Sequence, residues 1–258
     1  MSQINKIYNE NCVDFMQKLP DNHIDLTVTS PPYDNLRLYD GNISFFNEQV
    51  WKDVISELFR VTKDGGTVVW IVNDSTIKGS ESGTSFKQAL FAIETGFKLH
   101  DTMIYAKNSY MPLTHRRYEQ AFEYMFIFVK GKIKTFNPIK IPSATAGTIR
   151  NRSSAKQNES TYSERCRDEK TIVNAEKQHP NIFYYDVGKN EKSAHNAPFP
   201  ETLAQDHIAS WSNAGDLVFD PFIGSGTTAV VAKKLGRDFL GCDVSSEYCE
   251  IANSRLLK

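Results

Sequence analysis

The stretch Asp216-Leu217-Val218-Phe219-Asp220-Pro221-Phe222-Ile223-Gly224-Ser225-Gly226-Thr227-Thr228-Ala229 decides how the 258-residue chain folds. Asp216 to Asp220 is short and apolar at its centre, which predicts a buried strand. Gly224-Ser225-Gly226-Thr227-Thr228-Ala229 fits the pattern G-x-G-x-x-A and opens a helix predicted over Thr227–Leu235. Phe239-Leu240-Gly241-Cys242 reads as the next strand, with Asp243 at its end. Strand, glycine turn, helix and strand make a βαβ unit. Glycines let the backbone approach a ligand closely, and an acid on the following strand can accept from ribose hydroxyls. Taken alone, such a turn is as well explained by tight packing. The ordered context of strand, turn, helix and acid is what favours a nucleotide ligand.

The same alternation holds upstream. Ile24 to Thr29 is β-rich and stops at Ser30-Pro31-Pro32-Tyr33. Val50, Val54 and Leu58, with Trp51 and Ile55, follow a helical period. Asp64-Gly65-Gly66 ends that helix before the apolar strand Thr67–Val72. A second helix fits Phe86–Thr95, closed by Gly96. Strands are predicted at Ile104 and over Phe122–Val129, where Phe122, Tyr124, Phe126 and Phe128 share one face as packing residues. Leu203–Trp211 reads as a helix.

Residues 131–195 differ, with little apolar periodicity and many Lys, Arg, Asn, Ser and Thr. A flexible surface insertion is the plainest explanation. Charge adds to it. The whole chain carries 30 Lys and Arg against 31 Asp and Glu, a net charge of -1. Between Lys130 and Lys170, however, ten basic residues face four acidic ones, an excess of +6. The rest of the chain is acidic on average.

Several classes drop out. With 40% hydrophobic and 24% charged residues the chain can bury a core. Met1–Glu10 lacks the apolar centre of a signal peptide, and no apolar run approaches the roughly 20 residues that span a bilayer. A cytoplasmic location without membrane attachment is expected. Cys12, Cys166, Cys242 and Cys249 form no CxxC pair, and the six histidines show no metal-ligand spacing, so no metal site is expected.

The segment Ser30-Pro31-Pro32-Tyr33 places a hydroxyl, a proline-fixed carbonyl and an aromatic ring together at a strand end. The exocyclic amine of a nucleobase is a poor nucleophile, because its lone pair is delocalised into the ring. Hydrogen bonds from that amine to Ser30 Oγ and a proline carbonyl favour a tetrahedral nitrogen, and Tyr33 can stack on an extruded base.

Together, Ser30–Tyr33 and Asp220–Thr228 resemble the S-adenosylmethionine-dependent DNA amino-methyltransferases, in the motif order of their permuted β group. The resemblance extends through Cys12–Tyr33, Gly65–Asp74, Glu119–Lys132 and His195–Leu256. It implies a Rossmann-like, doubly wound mixed α/β sheet of the class I methyltransferase type. Residues 1–130 and 195–258 would be two halves of one catalytic domain, interrupted by a basic target-recognition insert over 131–194. Catalysis would fall to Ser30, Pro31, Pro32 and Tyr33. S-adenosylmethionine would be lined by Asp220, Phe222, Gly224, Gly226, Thr227 and Thr228, with Asp243 on the ribose. His195, Pro198, Phe199 and Pro200 would close the methionine end, and Asn11 and Cys12 would lie near the adenine. Arg150, Arg152, Lys156, Arg165 and Arg167 are candidate phosphate contacts. Double-stranded DNA is the implied partner, with a cognate restriction endonuclease and a homodimer as further expectations. Two positions depart from the family pattern: Asn11 stands where Asp is usual, and Asp243 where Glu is frequent.

Within the family that the chain resembles, Ser at the head of the tetrad is mostly associated with N4 of cytosine and Asp with N6 of adenine. The resemblance therefore implies N4 of cytosine, with N6 of adenine the alternative. Methylation at cytosine C5 needs a cysteine nucleophile, usually after proline, and no cysteine here follows one. Three readings compete. A nicotinamide-dependent oxidoreductase uses the glycine turn but leaves Ser30 unexplained. Amine methylation of RNA or of a protein glutamine keeps the chemistry, although glutamine enzymes usually carry Asn at the Ser30 position. A silent DNA-binding subunit leaves two intact motifs without a purpose. Arg116, Arg117 and Tyr118 fit a solvated turn as well as a nucleic-acid contact.

Overall fold

The structure, a computed structural model, describes residues 3–32, 46–108, 116–155, 165–186 and 199–257. The chain opens with β1 (Lys6–Asn9), α1 (Cys12–Gln17) and β2 (Ile24–Thr29), then α2 (Glu48–Val61) and β3 (Thr62–Val72). A small hairpin of β4 (Thr76–Ile77) and β5 (Ser80–Glu81) precedes α3 (Thr84–Thr95), β6 (Phe97–Lys107) and β7 (Phe122–Lys130). Four more strands follow: β8 (Lys140–Pro142), β9 (Ile149–Ala155), β10 (Arg165–Ile172) and β11 (Glu176–Gln178). The chain then forms β12 (Ile182–Tyr185), α4 (Glu201–Trp211), β13 (Leu217–Asp220), α5 (Thr227–Lys234), β14 (Asp238–Asp243) and α6 (Ser246–Leu256).

Eight strands form one mixed sheet in the order β1-β14-β13-β2-β3-β7-β6-β12. All neighbours pair in parallel except β7, which runs antiparallel to both β3 and β6. Alternation along β3 shows how both faces are buried. Val69 and Ile71 join one cluster, against Leu203, Ile208 and Trp211 of α4 and Val231 of α5. Val68, Trp70 and Val72 join the other, against Phe15, Trp51, Val54, Leu58 and Ala92. Each fully buried side chain of this size contributes about 1.5–3 kcal/mol. Trp70 also satisfies its indole N–H at Gln88 Oε1, 2.9 Å away inside the core. Phe122, Tyr124, Phe126 and Phe128 do share a face, with successive ring centroids 5.3, 5.4 and 6.0 Å apart.

One strand differs from its expected start. β3 begins at Thr62 and runs through Asp64-Gly65-Gly66 rather than starting after them. Ile24 pairs with Thr62 but Leu26 with Thr67, so the glycines form a bulge that resets the register. A side chain at Gly66 would stand 2.9 Å from Asp25 O, which leaves room there for hydrogen alone.

The chain divides into two compact units, Met1–Asn137 with Asn181–Lys258, and Pro138–Pro180. The second unit is narrower than the compositional segment 131–195. β12 belongs to the large sheet, and Lys130 Nζ donates to Phe59 O (2.8 Å) and Thr62 O (3.0 Å) within the first unit. The second unit consists of antiparallel pairs, β8 with β11 and β9 with β10. Backbone bonds from Gly147 to Val173 O (2.9 Å) and from Ser143 to Ala175 O (2.8 Å) continue the ladder between them. It holds eight Lys and Arg against five Asp and Glu, so half of the local +6 excess lies in this unit. No helix among the described residues is long and apolar enough to cross a membrane.

Candidate active site

The site follows from strand order. After β2 the chain passes to α2 on one face of the sheet, and after β13 it passes to α5 on the other. The two neighbouring parallel strands thus share one carboxyl end while their connections leave toward opposite faces of the sheet, the topological switch point whose crevice usually binds ligands in open α/β sheets. Ser30-Pro31-Pro32 lies on one side and Asp220–Thr228 on the other. Pro31 is buried, and Ser30 and Pro32 are half-buried.

Asp220 ties the two sides together. Its Oδ1 accepts from Thr29 Oγ1 at 2.7 Å and from the Phe222 amide at 3.0 Å, and its Oδ2 accepts from Thr228 Oγ1 at 2.8 Å. Only 1% of Asp220 is exposed. Burial pushes the carboxyl up to about 6, and the three donors oppose that rise without cancelling it. Its oxygens hold the loop to β2 and α5.

Asp243 fastens the other flank. Its Oδ2 accepts from the Gly224 amide at 3.0 Å and its Oδ1 from the Ser245 amide at 2.9 Å. The Gly226 amide is spent on Ile223 O at 2.8 Å and the Ile223 amide on Cys242 O at 3.1 Å. The loop is therefore preformed by internal bonds. Gly226 opens α5 at φ +85°, and a Cβ there would meet Ala252 Cβ of α6 at 2.7 Å. Its glycine is required by helix packing as well as by backbone shape.

Asn11 and Cys12 join the same sheet end through β1, whose Asn9 stands opposite Asp243 and donates from Nδ2 to Asp243 O (3.0 Å) and Val244 O (2.9 Å). Asn11 is the N-cap of α1: its Oδ1 accepts from the Val13 amide at 2.9 Å. The usual Asp at this position could cap equally well, so the Asn preserves the helix start. Burial pushes the Cys12 thiol up to about 12 and Cys249 to about 11, and raises Cys242 as well. These three are protonated thiols at neutral pH, which is no basis for a cysteine nucleophile. Phe222 packs edge-on against Phe46 with centroids 5.5 Å apart. Pro200 precedes α4 and its carbonyl accepts from the Leu203 amide at 3.0 Å, while Phe199 packs on the core. Tyr33, His195 and Pro198 lie outside the described residues.

Four supporting residues escaped the sequence reading. Thr29 is the donor that joins β2 to Asp220. Arg255 of α6 donates from Nη1 to Ser225 O at 2.8 Å and lies 3.3 Å from Thr227 Oγ1. Its Nη2 donates to Glu201 Oε1 at 2.8 Å, and Lys234 Nζ donates to Glu201 Oε2 at 2.8 Å. Three helices are clamped beneath the glycine loop in this way. A Glu one residue after Pro200 was the available signal, but its partners lie 33 and 54 residues downstream.

A parallel sheet with one reversed strand, a glycine loop at the switch point and a Ser-Pro-Pro segment across from it defines a nucleoside-cofactor enzyme that holds a second substrate beside the cofactor. The chain belongs to the N6/N4 family of DNA methylases, which it matches over residues 24–254. It is 47% identical to the orphan methyltransferase M.BamHII of Bacillus amyloliquefaciens over 254 residues, 93% of this chain and 91% of that protein. It is 29% identical to the type II methyltransferase M1.MboII of Moraxella bovis, over 98% and 96% of the two chains. Among solved structures, the M1.HpyAVI complex with S-adenosylmethionine covers 97% of this chain and 99% of its own, at TM-score 0.63 and 26% identity. The cytosine-N4-specific PvuII methyltransferase shares the fold at TM-score 0.71 and 19% identity, over 98% and 86% of the chains. The protein is an S-adenosylmethionine-dependent DNA methyltransferase.

Proposed function

We propose that the protein methylates N4 of cytosine in double-stranded DNA, on a base turned out of the helix into the crevice beside Ser30. The observation that carries this reading is the bond from Thr29 to Asp220, which fixes the start of the Ser-Pro-Pro-Tyr segment against the cofactor loop. Bound there, S-adenosylmethionine supplies a sulfonium-activated methyl group.

The chain's own part is positioning. Ser30 Oγ and the Pro31 carbonyl accept the two hydrogens of the exocyclic amine, drawing the nitrogen toward tetrahedral geometry with its lone pair facing the methyl. Pro31 and Pro32 restrict the backbone so that these acceptors keep one arrangement. Tyr33 covers the face of the base. The newly methylated nitrogen carries a positive charge and loses its proton to water, with no dedicated base. Alignment of nitrogen and methyl supplies much of the acceleration. On the cofactor side, Asp243 accepts from the ribose, Asn11 and Cys12 border the adenine, and Phe222, Gly224, Gly226, Thr227 and Thr228 form the wall. His195, Pro198, Phe199 and Pro200 close the methionine end. Asp220 acts one step back, as the acceptor that shapes that wall.

A neutral serine hydroxyl at the amine-holding position favours cytosine over adenine. Replacement of Ser30 by Ala tests the assignment: methyl transfer is expected to fall by about two orders of magnitude, with cofactor affinity, read by isothermal titration, nearly unchanged. Equal losses in both would contradict the role given to Ser30.

A further inference from the structure

The hairpin of β4 and β5 takes no part in the core or in the crevice. β2 and β3 run parallel with Thr29 opposite Trp70, so the hairpin, three residues beyond the end of β3, stands at the same sheet end as Ser30. Thr76 pairs with Glu81 and Ile77 with Ser80, leaving Lys78 and Gly79 as a two-residue turn at φ +50° and +82°. Both central residues of such a turn need positive φ, and Asn-Gly or Asp-Gly is the favoured pair. A lysine at the first position is strained backbone, and it puts a cation at the tip.

The base of the hairpin is built firmly. Asp74, 4% exposed, accepts from Ser82 Oγ (3.0 Å), the Ser85 amide (2.9 Å) and Ser85 Oγ (2.5 Å). Arg117 holds the tip from the side, donating from Nη2 to Gly79 O at 2.5 Å and pairing with Glu81 at 3.3 Å. Residues 76–81 are nevertheless all exposed, as is Arg116. Among the described residues Lys78 and Arg116 enter no ion pair, whereas Arg117 is consumed by its tie to Glu81.

We propose that this hairpin is a DNA-backbone contact, with Lys78 and Arg116 neutralising phosphates that flank the target nucleotide. The inference rests on the function proposed above. A base can enter the crevice only if duplex DNA lies across this end of the sheet, and an exposed cation on a braced tip there faces the phosphate chain. Such contacts set position and carry no sequence information. They also assign a purpose to Arg116-Arg117, which in sequence fitted a solvated turn equally well: Arg117 braces the hairpin, and the exposed Arg116 enters no ion pair among the described residues.

The test is the salt dependence of duplex binding, measured by fluorescence anisotropy with the full-length protein. Lys78→Gly removes the cation and relieves the positive-φ strain, so the variant keeps its fold. It is expected to lower the slope of log affinity against log salt by about 0.9, to weaken cognate and unrelated duplexes equally, and to leave cofactor affinity unchanged. Arg116→Gln is expected to do the same. A Lys78→Gly protein with the wild-type slope and affinity overturns the proposal, even while the wild-type enzyme methylates DNA normally. A wild-type protein that does not bind duplex DNA overturns both this inference and the functional reading beneath it.

Discussion

Asp220 shows what a single residue reveals and conceals. In sequence it is an acid at a strand end before a glycine loop, and its type and position point to the cofactor. In the fold its two oxygens are occupied by Thr29, Phe222 and Thr228. The Thr29 contact spans 191 residues, beyond the reach of any local pattern. A pH dependence follows. Asp220 holds its proton up to about 6 in the folded protein, above its ordinary value of 3.8. The stability this contributes is present at low pH and lost as pH rises from about 4 through 6. In Asp220→Asn the amide can occupy the Oδ2 position while Thr228 Oγ1, 3.2 Å from Val28 O, turns to donate there. Urea melts at pH 4.5 and pH 7.5 should show wild type losing ground to the variant at the higher pH. Parallel profiles would contradict burial of an ionisable Asp220.

At the scale of elements, periodicity made most of the frame legible. The predicted helices at 50–58, 86–95, 203–211 and 227–235 all form, with ends shifted by a few residues. What escaped notice was short or weakly patterned: the four-residue β1, the six-residue α1 and the four-residue β12. Also missed was α6, which buries only Cys249 and Ala252. α6 matters for function because Ala252 fills the space beneath Gly226 and Arg255 reaches back to Ser225. Gly226→Ala should therefore damage the loop through packing. A loss of about 1–3 kcal/mol is expected, together with weaker cofactor binding, read by thermal denaturation with and without S-adenosylmethionine. A variant as stable as wild type would contradict the close approach of α5 and α6.

For the whole molecule, the two motifs lie near opposite ends of the chain, and strand order brings those segments together. Thr29 and Asp220 meet because β13 inserts beside β2, a pairing between segments almost 200 residues apart. The charge pattern was only partly legible. Near-neutrality concealed a basic segment, yet Lys130 is spent on capping backbone carbonyls of the first unit, and only part of the excess lies in Pro138–Pro180. Binding of DNA through local basic surfaces on an acidic body would make the affinity depend strongly on salt. The central claim, amine methylation of cytosine beside Ser30, is tested most directly by nucleoside mass spectrometry. Unmodified DNA would be treated with the purified protein and S-adenosylmethionine, beside a Ser30→Ala control. The account predicts N4-methylcytosine, absent from the control. N6-methyladenine in its place, or no methylated nucleoside above the control, would contradict it.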